Sequence, residues 1–546
     1  MKRTNVLIST ALSLGLISGA RAEVKLPAIF ADHMVFQRDV AAPVWGTAAP
    51  SEEVTVEFAG QKKTATADAT GKWLVKFEPL KTSTEPLELK VAGIVIRDVL
   101  VGEVWLASGQ SNMAFPLNSA HNASEVLAQA EDAQLRFFTV AKKTSVEPQT
   151  ELNGKWEMAT PATAKNFSAV AYFFAREIRR TQKCPVAVLH SSWGGTPIET
   201  WISLDALRSE PPLTKTLQQW DKAVEQYRRT QADPKLVEDY VAELQRWKKE
   251  VGPAYNNAMK AYNAATAAGQ SAGARPQPAW PEPTNPDPMG MPSPSRRPQT
   301  PSISFNAMIA PLAPYSIRGA LWYQGEANGS AGLDYRALLP RLIQDWRRHW
   351  VADFPFLYVQ LPANGKDGTP VAGSGWPWLR EAQTMTLREP HTAMAVTIDV
   401  GDPNNVHPTD KLDVGERLAL LARRDVYGEK IVASGPLYRD FMIEGDRVRV
   451  NFRETGTGLT PGQAPWRAAG VEPLPTDHLT GFFIAGEDRK WFEANAKIEG
   501  SSVIVSSAAV PKPVAIRYAW ANSPRCNLYN KEGLPAAPFR TDDWPK

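Results

Sequence analysis

Cysteine is nearly absent. Cys184 and Cys526 are the only two in 546 residues, so the chain has neither a disulfide framework nor a cysteine-based zinc spacing. Two unpaired thiols are expected, with a Cys184–Cys526 bond as the alternative that export would permit. Histidine is scarce as well: seven residues, with no HxH or HxxxH pair, so no metal site and no cofactor is expected. Beyond the first 22 residues no stretch holds 18 unbroken apolar residues, which argues against a membrane-spanning helix. Charge of one sign is lacking too. The formal net charge is +3, and Lys2, Arg3 and Arg21 supply it, so the chain from Glu23 onward is balanced. That excludes an electrostatic case for nucleic acid or an anionic membrane surface. The Gly-x-Ser-x-Gly elbow of α/β-hydrolases is missing, and no internal repeat is evident.

What is present divides by texture. Residues 1–22 have a basic start, a short apolar run and the ending Ala20-Arg21-Ala22, the layout of a cleaved signal peptide. A periplasmic or secreted protein without membrane insertion is therefore expected. Residues 23–97 alternate in period two, at Val54/Val56/Phe58, Trp73/Val75/Phe77 and Leu87/Leu89/Val91, which predicts a β-rich domain. From 98 the pattern becomes strand, loop, helix. Val99–Ser108, Pro185–Leu189, Gly319–Tyr323 and Ala393–Val400 read as buried strands. Val170–Arg180, Leu333–Trp350 and Val414–Arg424 read as helices. That alternation predicts an α/β domain built from 98–203 and 301–430. Residues 204–300 interrupt it with two amphipathic helices, carrying Leu217/Trp220/Val224/Tyr227 and Val237/Tyr240/Leu244/Trp247/Val251, followed by ten prolines between Pro276 and Pro301. Residues 431–546 return to alternation and predict a C-terminal β domain.

Four short blocks carry chemistry. Three follow predicted strands directly, and the fourth lies a few residues beyond one, where open α/β sheets bind ligands. The first, Ala107–Met113, holds Ser111, a hydroxyl that needs a nearby base to act as a nucleophile. The second, Ser191–Glu199, holds Gly194 and Gly195, whose backbone N–H groups suit an oxyanion hole. The third, Leu321–Asn328, holds Gln324, a side-chain amide donor, and Glu326. The fourth, Asp402–Lys411, holds His407, an imidazole with the pKa range of a general base. The chain holds 18 Trp, among them Trp193, Trp201, Trp322, Trp376 and Trp378 in or near these loops. They read either as sugar-stacking faces or as packing residues.

Taken in order, Gly-Gln-Ser-Asn-Met, Trp-Gly-Gly-Thr, Trp-Tyr-Gln-Gly-Glu and Val-His-Pro-x-x-Lys resemble the blocks of the sialate O-acetylesterase-like family of the SGNH-hydrolase superfamily. Leu26–Gln37, Arg517–Asn522 and Asn527–Pro535 resemble that family's terminal segments, so only 204–300 lies outside the resemblance. The resemblance implies a flavodoxin-like three-layer α/β/α SGNH catalytic domain with a helical insertion, flanked by N- and C-terminal β-rich domains. It implies Ser111 as nucleophile and His407 as base. The oxyanion donors are Ser111 N–H, Gly195 N–H (chosen over Gly194) and the Gln324 amide. Asn112, Trp193, Glu326 and Asn328 are expected at the substrate. In one respect the chain departs from the family pattern. Three residues before His407, where many members carry Asp, stands Asn404. The orienting group is then Asp402, Asp399 or a backbone carbonyl, with Asp402 preferred. The implied reaction is hydrolysis of an acetyl ester on a sugar, sialate first. Acetylated xylan or xyloglucan is the alternative substrate, and a non-catalytic carbohydrate-binding protein is the alternative of another class. No obligate protein partner is implied.

Overall fold

The computed structural model describes residues 23–209, 214–267, 273–283, 298–365, 375–464, 466–468 and 471–544. The segment read as a signal peptide and part of the proline-rich stretch lie outside the described residues. One large sheet organises the molecule. Its central strands are β1 (Ile94–Gly109), β2 (Asp132–Val140), β3 (Gly154–Ala159), β4 (Val186–Ser192), β5 (Gly319–Tyr323), β6 (Phe356–Val359) and β7 (Thr392–Ala395). Their spatial order is β7-β6-β5-β1-β4-β2-β3. All are parallel except β3, which runs antiparallel to β2 at the edge.

The continuous apolar run of β1 has a simple cause. Val99 to Gln110 are buried without a break, as a central parallel strand covered on both faces requires. The helices α1 (Ala169–Gln182), α2 (Gly332–Trp350), α3 (Gly375–Met385) and α4 (Leu412–Asp425) supply the cover. Ser168 caps α1 by accepting the Ala171 N–H at 3.2 Å, and Lys183 ends it in the left-handed conformation. α1 packs on α4, and α2 packs on α3. From β1 the chain passes to β2, β3 and β4 on one side and then to β5 on the other. The crevice beyond the carboxyl end of β1 is therefore a topological switch point.

β1 also joins two regions. Its first half pairs with the antiparallel strand Ser83–Val91 and the short parallel strand Val35–Gln37, and its second half pairs with β4 and β5. The expected boundary at 97/98 falls inside this one strand. From Leu437 to Arg540 the regular elements are strands. Among its described residues the 204–300 segment holds a short helix, Leu204–Arg208, and three longer ones, Thr214–Ala232, Lys235–Glu250 and Gly252–Ala267, where the sequence pattern shows two. The last is rich in alanine and asparagine, and Tyr255, Met259 and Tyr262 give it only a thin apolar stripe. Trp220 and Trp247 are buried, as a packing role requires. Cys184 and Cys526 are both buried free thiols.

Candidate active site

The first three blocks meet at the carboxyl ends of adjacent strands. Ser108 of β1 lies opposite Ser191 of β4 and Trp322 of β5, and Gly109 lies opposite Ser192 and Tyr323. Gly109 has φ +137°, and a Cβ there would lie 2.1 Å from the Tyr323 carbonyl oxygen. Only glycine lets β1 turn this close to β5. Two backbone bonds then seat the loops: Gln110 N–H to Tyr323 O at 3.0 Å and Trp193 N–H to Gly109 O at 3.0 Å.

Ser111, half-buried, follows that turn. Its Oγ lies 2.8 Å from His407 Nε2, although 296 residues separate them. This is hydrogen-bond reach for a hydroxyl and a base. The His407 loop is shaped by its own side chains. Asn405 Oδ1 accepts the His407 N–H at 2.9 Å, and Asp402 Oδ1 accepts the Asn404 N–H at 2.8 Å. Asp399 is engaged elsewhere: its carboxylate takes both ends of the Arg417 guanidinium at 2.6 and 2.7 Å and the Tyr529 hydroxyl at 3.0 Å.

Gly195, in the loop that follows β4, lies in the left-handed region with φ +74°. Gln324 is fully buried. Its Nε2 faces Gln110 Oε1 at 3.2 Å, Thr196 O at 3.1 Å and Asn328 Oδ1 at 2.8 Å, while its Oε1 accepts the Tyr335 hydroxyl at 2.8 Å. Its amide hydrogens thus tie the first, second and third blocks together. Asn112 is also fully buried. Its Nδ2 donates to Glu326 and to Val406 O at 2.9 Å, and its Oδ1 accepts from Lys411 Nζ at 2.6 Å. Asn328 donates to Glu199 at 2.9 Å and accepts the Ile198 N–H at 2.9 Å. Of the residues expected at the substrate, Asn112, Glu326 and Asn328 are drawn into this network, and Trp193 alone keeps a half-exposed ring. Among the loop tryptophans, Trp201, Trp322 and Trp378 are buried and pack, whereas Trp376 is half-exposed.

Burial sets the electrostatics. It raises the Glu326 carboxyl above the usual range, against the lowering effect of its Asn112 bond. It lowers the Lys411 ammonium to about 7, and it raises Asp410, with Asp413 adding to the rise. Lys411 and Gln110 belong to this network, and sequence reasoning gave neither of them a role. Both stand inside the recognised blocks, but nothing local shows that a lysine four residues after His407 turns inward. Among the described residues no group of three or more His, Cys, Asp or Glu is placed to hold a metal, and no helix is long and apolar enough to cross a membrane.

No family model matches the chain. It is 29% identical over 565 residues to sialate O-acetylesterase of Mus musculus, covering 93% of this chain and 92% of that protein. Against the Homo sapiens sialate O-acetylesterase it is 27% identical over 558 residues, covering 93% and 90%. The solved structure of a carbohydrate acetylesterase from Xanthomonas citri superposes with a TM-score of 0.73 at 35% identity, over 96% of this chain and all of that one. The chain belongs to the sialate O-acetylesterase-like family. As a member of that family it is an esterase.

Proposed function

We propose that this member of the sialate O-acetylesterase-like family is an exported carbohydrate O-acetylesterase that works through a Ser111–His407 acyl-enzyme. The observation that carries the reading is the 2.8 Å approach of Ser111 Oγ to His407 Nε2 at the switch point of the sheet. Ser111 Oγ attacks the acetyl carbonyl while His407 Nε2 takes its proton. The tetrahedral oxyanion rests on the N–H groups of Ser111 and Gly195. His407 then returns the proton to the departing sugar oxygen, and water attacks the acetyl-enzyme with His407 again as base. Gln324 stands behind these donors and holds their loops at the right spacing, because its own hydrogens are already accepted. Asp402 stays the preferred group to orient His407, with a backbone carbonyl as the alternative, while Asp399 is engaged by Arg417 and Tyr529.

The sheet supports an SGNH-type reading. With β2 and β3 set aside, the remaining strands run β4-β1-β5-β6-β7, which is the flavodoxin-like order 2-1-3-4-5. The catalytic unit in this reading is 98–203 with 301–430, interrupted by the 204–300 insertion.

For the substrate, sialate esters are the first reading, from the curated relatives that match nearly the whole length. A cavity of about 240 Å³ lies beside the His407 loop, against Gly401 and Pro403, and is lined by Arg467 and Arg525. Neither arginine has a carboxylate partner among the described residues, although Asp399 and Glu472 line the same cavity, and in this reading the two arginines are the cations offered to a sugar carboxylate. The carbohydrate acetylesterase neighbour keeps neutral acetylated polysaccharides as the second reading. Ser111→Ala is expected to lower acetate release from p-nitrophenyl acetate at least about a thousandfold with the fold intact. Retained release in that variant overturns the mechanism. Comparing acetate release from 9-O-acetylated sialic acid and acetylated xylo-oligosaccharides decides the substrate, and a folded wild type inactive on every acetyl ester favours a binding protein.

A further inference from the structure

We infer that Asn112, held between Lys411 and Glu326, is a positioning residue that sets the spacing of Ser111 and His407. The inference rests on the Ser111–His407 reading and goes beyond it, because none of these three side chains has to touch substrate. Asn112 directly follows Ser111, and Val406 directly precedes His407. One bond, Asn112 Nδ2 to Val406 O at 2.9 Å, therefore joins the nucleophile loop to the base loop across 294 residues of sequence.

An asparagine amide can turn over, exchanging its oxygen and nitrogen. Here it cannot. As an ammonium, Lys411 Nζ has only hydrogens to offer, and it lies 2.6 Å from Oδ1, while Glu326 accepts on the other side from Nδ2. The ammonium and the carboxylate together fix which end of the amide faces Val406. Lys411 belongs to the same loop as His407, four residues on, so its bond to Asn112 closes a second connection between the two loops.

The surroundings hold Lys411 in place. It is fully buried, with Nζ 4.7 Å from the Phe115 ring centroid and 5.5 Å from that of Tyr323. A buried lysine is expensive unless its hydrogens and charge are compensated. An apolar residue would pack there without that cost but would leave the amide free to turn. Glu326 Oε2 is buried and has no hydrogen-bond partner, and Asn112 is the side chain that bonds this carboxylate.

The test uses the full chain carrying Lys411→Met, with Asn112→Asp as the second variant. Asn112→Asp keeps the shape but replaces the donor facing Val406 O with an acceptor. Each is expected to lower kcat at least thirtyfold while KM stays within twofold. The rate of Ser111 labelling by a fluorophosphonate probe should fall in parallel, because that rate reads the Ser111–His407 alignment without sugar binding. Far-ultraviolet circular dichroism should match wild type. A folded variant with wild-type kcat and labelling rate overturns the inference, as does a rise in KM with kcat unchanged. If Lys411→Met does not fold, Asn112→Asp decides by the same criteria. Ser111→Ala separates the two levels: if it retains activity the underlying reading fails, and if it is inactive while both other variants keep wild-type rates only the positioning role fails.

Discussion

At the residue scale, Gly109 and Gln324 mark the two ends of what a local pattern reveals. A glycine between a buried strand and a serine announces a turn, and the structure supplies the reason in its φ of +137° and the 2.1 Å approach to the Tyr323 carbonyl oxygen. Gly109→Ala is expected to destabilise the chain by about 3 kcal/mol or more, because backbone strain adds to an overlap that only parting β1 from β5 relieves. Urea unfolding measures it, and an unchanged midpoint contradicts the account. Gln324 is the opposite case. Its amide reads as a donor for a reacting group, yet its partners Gln110, Thr196 and Asn328 come from three separate loops. No spacing along the chain reveals that its hydrogens are already accepted. The same holds for Asn112, whose partners Glu326, Val406 and Lys411 stand 214 to 299 residues away.

At the scale of elements, unbroken apolar runs and period-two alternation are legible because burial on two faces or one imposes them on the side chains directly. β1, β4, β5 and the helices α1, α2 and α4 follow from those patterns. Strand β2, the edge strand β3, the four-residue β6 and the helix α3 do not, since each is short or mixed in polarity and is held by its neighbours. The extent of β1 was not legible either. It continues through the change of texture at 97/98, and Glu103 in its middle anchors both sides. Glu103 is fully buried, accepts Arg318 at 2.7 and 3.1 Å, and also takes Arg38 and Gln37 from the N-terminal region. Glu103→Ala leaves two guanidinium groups without their carboxylate and is expected to cost about 3–5 kcal/mol. Chemical denaturation checks this, and a loss below about 1 kcal/mol would show that the anchor is dispensable.

At the scale of the whole molecule, the buried charges of the site make stability depend on pH. Lys411 titrates near 7 in the folded chain and near ~10.4 when unfolded, so between those values the unfolded state binds the extra proton. Folding stability from this group therefore rises with pH above 7. Asp410 works in the other direction at lower pH: its raised folded pKa means that stability falls as pH climbs from the ordinary carboxylate range toward neutrality. Relative to Lys411→Met, wild type should gain about 3 kcal/mol between pH 7 and 9.5, at about 1.4 kcal/mol per pH unit. Paired denaturation curves at the two pH values measure it, and a constant difference would place Lys411 in a more solvated state. The sequence by itself determined the α/β class, the four blocks and their order, and the family they resemble, because turn chemistry and hydrophobic period are local properties of a chain. Only the tertiary structure decided that Ser111 meets His407 at 2.8 Å, that Asp399 is engaged by Arg417, and that Asn112 and Gln324 act inward. The Ser111–His407 and Asn112 contacts join residues hundreds of positions apart, and Asp399 meets Arg417 across 18 positions of loop and helix, so the sheet order brings these groups together and no local pattern encodes them.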